Sequence, residues 1–241
     1  MSRFLLCLAG LLVSSYVFAQ TPATVPKQGD LAGMKLENVR IKKQTVGLML
    51  SELSLQYGVP IGLEVAPSED QLGNYAFNFK KGTLSELLTQ FVAEHNQYAW
   101  RINDGVVNVF PKEGSRDFLL QNLLEIRIGA VQVKEKTNCS TLAASLMTSP
   151  ELKRVLDASG VTYRERSFSG FFIPQLGRHF TLNISDGTLQ TILNRVISES
   201  PTAKFWVLTR NEDHTLFLDF GAKHEDAPSG IRFSEEDLAR P

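Results

Sequence analysis

The spacing of apolar residues changes several times along the first hundred or so positions, and each change predicts an element. Over residues 34–43, Leu36, Val39 and Ile41 stand among charged and polar neighbours and predict a strand. From Gln44 onward, Val46, Leu48, Met49, Leu50, Leu53 and Leu55 fit helical spacing better than alternation, and Tyr57-Gly58-Val59-Pro60 ends that helix. Residues 61–65 read as a short strand and residues 67–74 as a polar loop. Tyr75, Phe77 and Phe79 then alternate with Ala76, Asn78 and Lys80, the period of a strand with one buried face. Leu84, Leu87, Leu88 and Phe91 recur at i, i+3, i+4 and i+7, with Thr83 placed as an N-cap and Glu86 three residues on as its capping-box partner. Residues 98–102 and 106–110 flank Asn103-Asp104-Gly105, whose Asp-Gly pair suits a tight hairpin turn.

Residues 112–117 are charged and read as a flexible boundary. Beyond them the order of elements recurs: residues 180–197 match residues 75–92 without a gap, at an offset of 105 (187 against 82). Gly187-Thr188-Leu189 repeats Gly82-Thr83-Leu84, and Leu189, Ile192, Leu193 and Val196 recreate the helical stripe. Residues 205–208 and 216–220 recreate the hairpin around Asn211-Glu212-Asp213. Upstream the match is looser: residues 123–133 predict an opening strand pair, and residues 142–156 a helix divided by Pro150, which cannot donate the internal hydrogen bond. Gly160-Val161-Thr162-Tyr163 stands where Gly58-Val59-Pro60-Ile61 stood. The expected fold class is therefore α+β, with two tandem βαββαββ-like modules at 34–112 and 118–221, helices packed on small mixed sheets, and a charged tail over 222–241.

Composition narrows the function more than the fold. The chain has 241 residues, 25 Lys and Arg against 26 Asp and Glu, and 43% hydrophobic residues, which is globular and rules out collagen, a disordered tail or a disulfide mini-scaffold. A net charge of −1 gives no drive toward nucleic acid. Arg3, an apolar run over 4–13, the polar pair Ser14-Ser15 and Val17-Phe18-Ala19 have the layout of an export signal, with cleavage expected after Ala19. The apolar run is shorter than a bilayer span needs, and no second long one follows, so no membrane span is expected in the mature chain. Residues 20–33 read as a linker. Cys7 leaves with the signal, so Cys139 remains as a single cysteine with no intramolecular disulfide to form.

Residues 78–88, followed by Tyr98-Ala99-Trp100-Arg101 and Gly105-Val106-Val107-Asn108-Val109, resemble the short N-terminal domain of secretins and TonB-dependent receptors. The resemblance covers residues 35–112 well and 119–220 as a diverged copy. It implies a small sandwich of two helices between two small sheets, placed in the periplasm, which contacts partner proteins or neighbouring copies and performs no catalysis. The chain departs from the family's usual context in that no outer-membrane barrel or secretin ring segment follows.

Candidate chemistry is thin. Cys139 could nominally pair with His95, His179, His214 or His224, but none stands in a local arrangement that requires it, and the histidines lack zinc-site spacing. Glu64, Glu69, Asp70, Asp186, Glu212 and Asp213 fall near expected loops as solvated carboxylates. No cofactor or metal is expected. The unusual stretch is 166–178, where Phe168, Phe171, Phe172 and Ile173 lie between Arg166 and Arg178. It reads either as a partner-docking surface or as an ordinary hairpin that folds Phe171 and Ile173 into the core. The expected function is a non-enzymatic adaptor of the bacterial envelope, periplasmic or secreted. Its partner would be an envelope protein such as a secretin or TonB-system component, or a second copy of the chain. The alternatives are an oligomerising assembly factor of a secretion or pilus system, and a secreted hydrolase with a site between the modules.

Overall fold

The structure is a computed structural model that describes residues 31–43, 45–67, 75–135, 137–165, 176 and 180–222. These residues form a mixed α+β fold. The first half runs β1 (Lys35–Lys43), α1 (Val46–Tyr57), β2 (Ile61–Glu64), β3 (Tyr75–Thr83), α2 (Leu84–Glu94), β4 (Tyr98–Asn103) and β5 (Val106–Pro111). Local chemistry sets these bounds. The Thr45 hydroxyl accepts from the Leu48 amide and opens α1. Thr83 and Glu86 close a complete capping box on α2, which uses two of the amides a helix start leaves without partners. The β4–β5 turn places both Asp104 (φ 53) and Gly105 (φ 71) in the left-handed region, as a two-residue hairpin loop demands. Leu31, inside the stretch expected to be a linker, is instead buried in the core of this half.

The second half runs α3 (Phe118–Glu125), β6 (Arg127–Ile128), β7 (Val131–Val133), α4 (Cys139–Met147), α5 (Pro150–Ser159), β8 (Thr162–Tyr163), β9 (Leu182–Ile184), β10 (Gly187–Thr188), α6 (Leu189–Glu199), β11 (Ala203–Arg210) and β12 (Thr215–Ala222). Pro150 divides α4 from α5 as expected and occupies the first turn of α5, where its missing N–H costs no internal bond. The expected strand pair over 123–133 begins only at Arg127. Residues 118–125 are helical because Asp117 caps them, accepting from the Leu119 and Leu120 amides, and Leu120, Leu123 and Leu124 form a buried helical stripe.

Strand pairing in the two halves runs in parallel. β1 and β3 pair antiparallel, with Lys35 opposite Thr83, Leu36 opposite Gly82, Val39 opposite Phe79 and Ile41 opposite Phe77. β6–β10 and β7–β9 place Arg127 opposite Thr188, Ile128 opposite Gly187, Val131 opposite Ile184 and Val133 opposite Leu182. All four pairs are displaced by the same two shifts, 92 residues on one strand (127 against 35) and 105 on the other (188 against 83).

The remaining strands do not form two separate small sheets. They join in one six-stranded sheet of order β4-β5-β2-β11-β12-β8. In each trio an antiparallel hairpin carries a parallel strand beside its second member, β2 along β5 and β8 along β12. The trios meet where β2 lies parallel to β11, with Ile61 opposite Phe205, Gly62 opposite Trp206, Leu63 opposite Val207 and Leu208 opposite Glu64. Successive side chains leave a sheet on opposite faces, and here the two faces serve different cores. Ile61, Leu63, Val107, Val109 and Phe205 pack with α1 and α2, whereas Val106, Trp206, Leu208, Leu216 and Leu218 pack with the helices of the second half. Ala203 joins the second core although it stands two residues before Phe205; a register irregularity between them shifts the alternation.

Candidate functional site

β2 and β11 are parallel, so their carboxyl ends lie side by side, and the connection from β5 to α3 crosses them. Arg116 and Asp117 on that connection each close an ion pair. Arg116 Nε donates to both Glu64 carboxylate oxygens at 2.8 and 2.9 Å, and its Nη2 donates to Oε2 at 2.6 Å. The Glu64 side chain is 1% exposed and that of Arg116 19%. Asp117 Oδ2 accepts from Arg210 Nε at 2.7 Å, while Oδ1 accepts from the Leu119 amide at 2.8 Å. One carboxylate thereby caps a helix and holds the last residue of β11. The guanidiniums of Arg101 and Arg116 lie 5.0 and 5.5 Å from the centre of the Phe110 ring, within cation–π range.

Burial pushes the Glu64 carboxyl above the ordinary carboxylate range, and the hydrogen bonds and charge of Arg116 pull against that rise without cancelling it. The pair is a rigid, water-poor strut rather than a surface contact, because its geometry is bidentate and one member is fully enclosed. Beside it opens a groove of about 510 Å³ lined by Pro67, Phe118, Ser159, Val161, Arg210 and His214, among others. Phe118 is 75% exposed, the single exposed large hydrophobic among the described residues. Its position follows from the cap: Asp117 fixes the start of α3, and the stripe formed by Leu120, Leu123 and Leu124 faces the core, leaving Phe118 outside it.

His214, Asp117 and Ser159 line the same groove, yet Asp117 is engaged by Arg210 and the helix start, and His214 Nδ1 faces Arg210 Nη1 at 3.4 Å. The carboxylate therefore orients an arginine, not an imidazole. Among the described residues no group of three or more His, Cys, Asp or Glu gathers around a common point, and no helix is long and apolar enough to cross a membrane.

The residues singled out from sequence scatter. Phe168, Phe171, Phe172 and Ile173 lie outside the described residues, as do Glu69, Asp70, His179 and His224. Glu64 is buried instead of solvated. Asp186 pairs with Arg127, Glu212 is exposed, and hydrogen bonds from Thr215 hold the Asp213 carboxyl below its usual range. His95 caps α2 and stacks on Phe91, with 4.6 Å between ring centres. Cys139 is 3% exposed, and burial pushes its thiol up to about 12. The thiolate is the reactive form, so Cys139 in the folded chain is expected to react with a disulfide reagent at pH 8 about a thousandfold more slowly than after denaturation in urea. Equal rates in the two states would contradict that burial.

Sequence reasoning missed Arg116, Asp117 and Phe118, having read residues 112–117 as a flexible boundary. An Asp directly before the spacing of Leu120, Leu123 and Leu124 was a helix-start signal. Nothing local announced that Glu64 and Arg210 would be the partners, because those contacts span 52 and 93 residues. Comparison with known proteins finds no match: no family model, no curated protein and no solved structure.

Proposed function

We propose that this chain is a non-enzymatic protein-interaction module of the bacterial cell envelope, periplasmic or secreted, built from two tandem modules like the short secretin/TonB N-terminal domain. The constant shifts of 92 and 105 residues between the strand pairs of the two halves support the duplication. The observation that carries the interaction reading is Phe118, an aromatic ring held 75% exposed at the mouth of a groove whose floor is braced by two ion pairs. A rigid aromatic anchor loses little conformational entropy on binding and contributes large contact area, which is why such residues dominate interfaces.

The test is recovery of a partner from envelope extract with the unmodified chain, with Phe118→Ser, and with Phe171→Ser and Phe172→Ser combined. Phe118→Ser is expected to lower recovery at least about thirtyfold, the effect of losing an anchor worth about 2 kcal/mol, with circular dichroism unchanged. Undiminished recovery with Phe118→Ser removes the groove from consideration, and loss with the double substitution alone moves the surface to the 166–178 stretch.

A further inference from the structure

The formal net charge of −1 conceals an uneven distribution. Among the described residues β1 and β3 pair only with each other, as a two-stranded ribbon lying over α1 and α2. The two strands carry six cations, Lys35, Arg40, Lys42, Lys43, Lys80 and Lys81, against one carboxylate, Glu37. Alternation sorts them by face. Val39, Ile41, Phe77 and Phe79 are buried against the helices, so Arg40, Lys42, Asn78 and Lys80 stand on the opposite face, and all four are exposed. Arg40 lies directly opposite Asn78, and Lys42 opposite Ala76. Lys42 is therefore about 7 Å along the strand from Arg40, and Lys80 is about 7–8 Å from Arg40 on the diagonal across the ribbon.

At the other end of the ribbon the charges are answered. Lys81 pairs with Glu37 at 2.8 Å, and Glu86 lies within the field of Lys35. Among the described residues no carboxylate pairs with Arg40, Lys42 or Lys80. The second half demonstrates that the fold does not require this charge. The shifts of 92 and 105 residues carry Arg40 to Gln132, Asn78 to Asn183 and Lys80 to Ser185, and Gln132 stands opposite Asn183 as Arg40 does opposite Asn78. Of the three cations only Lys42 keeps a cationic counterpart, Lys134. Two ribbons of one design are thus both exposed, and one of them is strongly basic.

We propose that the outer face of the β1–β3 ribbon docks the chain onto an anionic lipid bilayer. Charge complementarity selects the occupant. Cations on flexible stems, with only Ala76 and Asn78 between them, suit headgroups that move in the plane of a bilayer. A protein interface is centred on aromatic or apolar anchors and is depleted of lysine; Phe118, the exposed large hydrophobic among the described residues, is not on this face. Because the face carries no apolar wedge, the attachment is electrostatic, reversible and screened by salt. Lipid rather than nucleic acid is the polyanion an envelope protein meets, and to that extent the inference rests on the envelope reading. It is independent of the Phe118 groove, which includes no residue of the ribbon. It is equally independent of the junction of the two trios, from which α1 and α2 separate the ribbon.

Co-sedimentation of the purified chain with vesicles of phosphatidylcholine alone, and with about 40% phosphatidylglycerol, tests it. Each cation close to an anionic leaflet contributes about fivefold to partitioning, so the three together are expected to favour the anionic vesicles about a hundredfold at low salt. Binding is expected to vanish by about 0.5 M sodium chloride, where the screening length falls to about 4 Å. Equal binding to both vesicles, binding to neither, or retention in that salt overturns the proposal. Arg40→Gln, Lys42→Gln and Lys80→Ser together are expected to remove the preference; two of these replacements are the residues at the equivalent positions of the second half. Lys112→Gln, Lys134→Gln and Lys153→Gln, an equal loss of exposed charge elsewhere, are expected to keep most of it. Undiminished binding by the first variant, or equal loss in both, refutes the assignment of the face. Should the first variant lose its circular dichroism spectrum, Arg40→Gln and Lys80→Ser decide singly: each is expected to cost about fivefold, and no loss from either overturns the proposal. Tighter binding to poly-glutamate or duplex DNA than to vesicles of equal anionic charge assigns the face to a protein or nucleic acid and overturns the lipid reading. The measurement needs only the chain and lipid, so its failure leaves the Phe118 reading to partner recovery.

Discussion

Arg116→Ala is expected to destabilise the fold by about 3–5 kcal/mol at pH 7.5, because it leaves the enclosed Glu64 carboxylate without the guanidinium that compensates its burial. The loss is expected to shrink as the pH falls. The folded-state value of Glu64 lies above 4.5, its ordinary value, so between the two the folded chain holds a proton that the unfolded chain has released. The contribution of Glu64 is thus least favourable at neutral pH and improves as the pH drops through the folded value, with the gain complete below about 4.5. Arg116 is what pulls that value down, so its removal raises it further and widens the window. Urea titrations of parent and variant at pH 7.5 and 5.0 check this, and an equal loss at both values would show that the defect is packing rather than an uncompensated charge. Glu64→Gln, which removes the charge and keeps the shape, is expected to cost less than Arg116→Ala and to show little pH dependence over the same range.

The second large effect lies at the centre of the junction. A Cβ added at Gly62 would stand 2.2 Å from the indole of Trp206, its partner on the neighbouring strand. Trp206 cannot yield easily: it is 1% exposed, and its Nε1 donates to Asn194 Oδ1 at 3.0 Å beneath α6. Gly62→Ala is therefore expected to cost about 3 kcal/mol, the upper part of the range for overpacking a close-packed site, and Trp206→Leu about as much through the cavity and the stranded Asn194 amide. The two substitutions together are expected to be less harmful than their sum, since the new methyl enters space the indole has left. A double-mutant cycle read from urea midpoints should give a favourable coupling of at least about 1 kcal/mol. Additivity would mean that Gly62 is required for some reason other than the ring above it.

Elements with a strong local signal were legible in the amino-acid order. Phe77 and Phe79 alternate, Leu84 to Phe91 repeat at helical spacing behind Thr83, and Asp104-Gly105 turns the chain; each of these is decided by neighbours within about ten residues. The same holds for Pro150, which starts α5 where a division was expected. What escaped notice was decided at long range. β6 and β8 are two residues each, too short for any period to register, and they exist because β10 and β12 offer backbone partners. The pairing of β2 with β11 is not announced locally: β2 is four residues, all buried, and its Ile-Gly-Leu-Glu order is too short for a period to register. The candidate site suffered most: charged Arg116 and Asp117 look like solvent-exposed linker residues until their partners at 64 and 210 are in place.

The contact between Ile61 and Phe205 spans 144 residues (205 against 61). During synthesis β2 therefore waits with the backbone N–H and C=O groups of one edge unpaired while most of the remaining chain emerges, at about 5–20 residues per second. Non-local pairing of this kind slows folding, since loop closure must precede the contacts that reward it. The interval before residues 203–210 arrive is when a foreign strand could take their place, and it is in the nascent chain, not the finished one, that protection by a chaperone matters most.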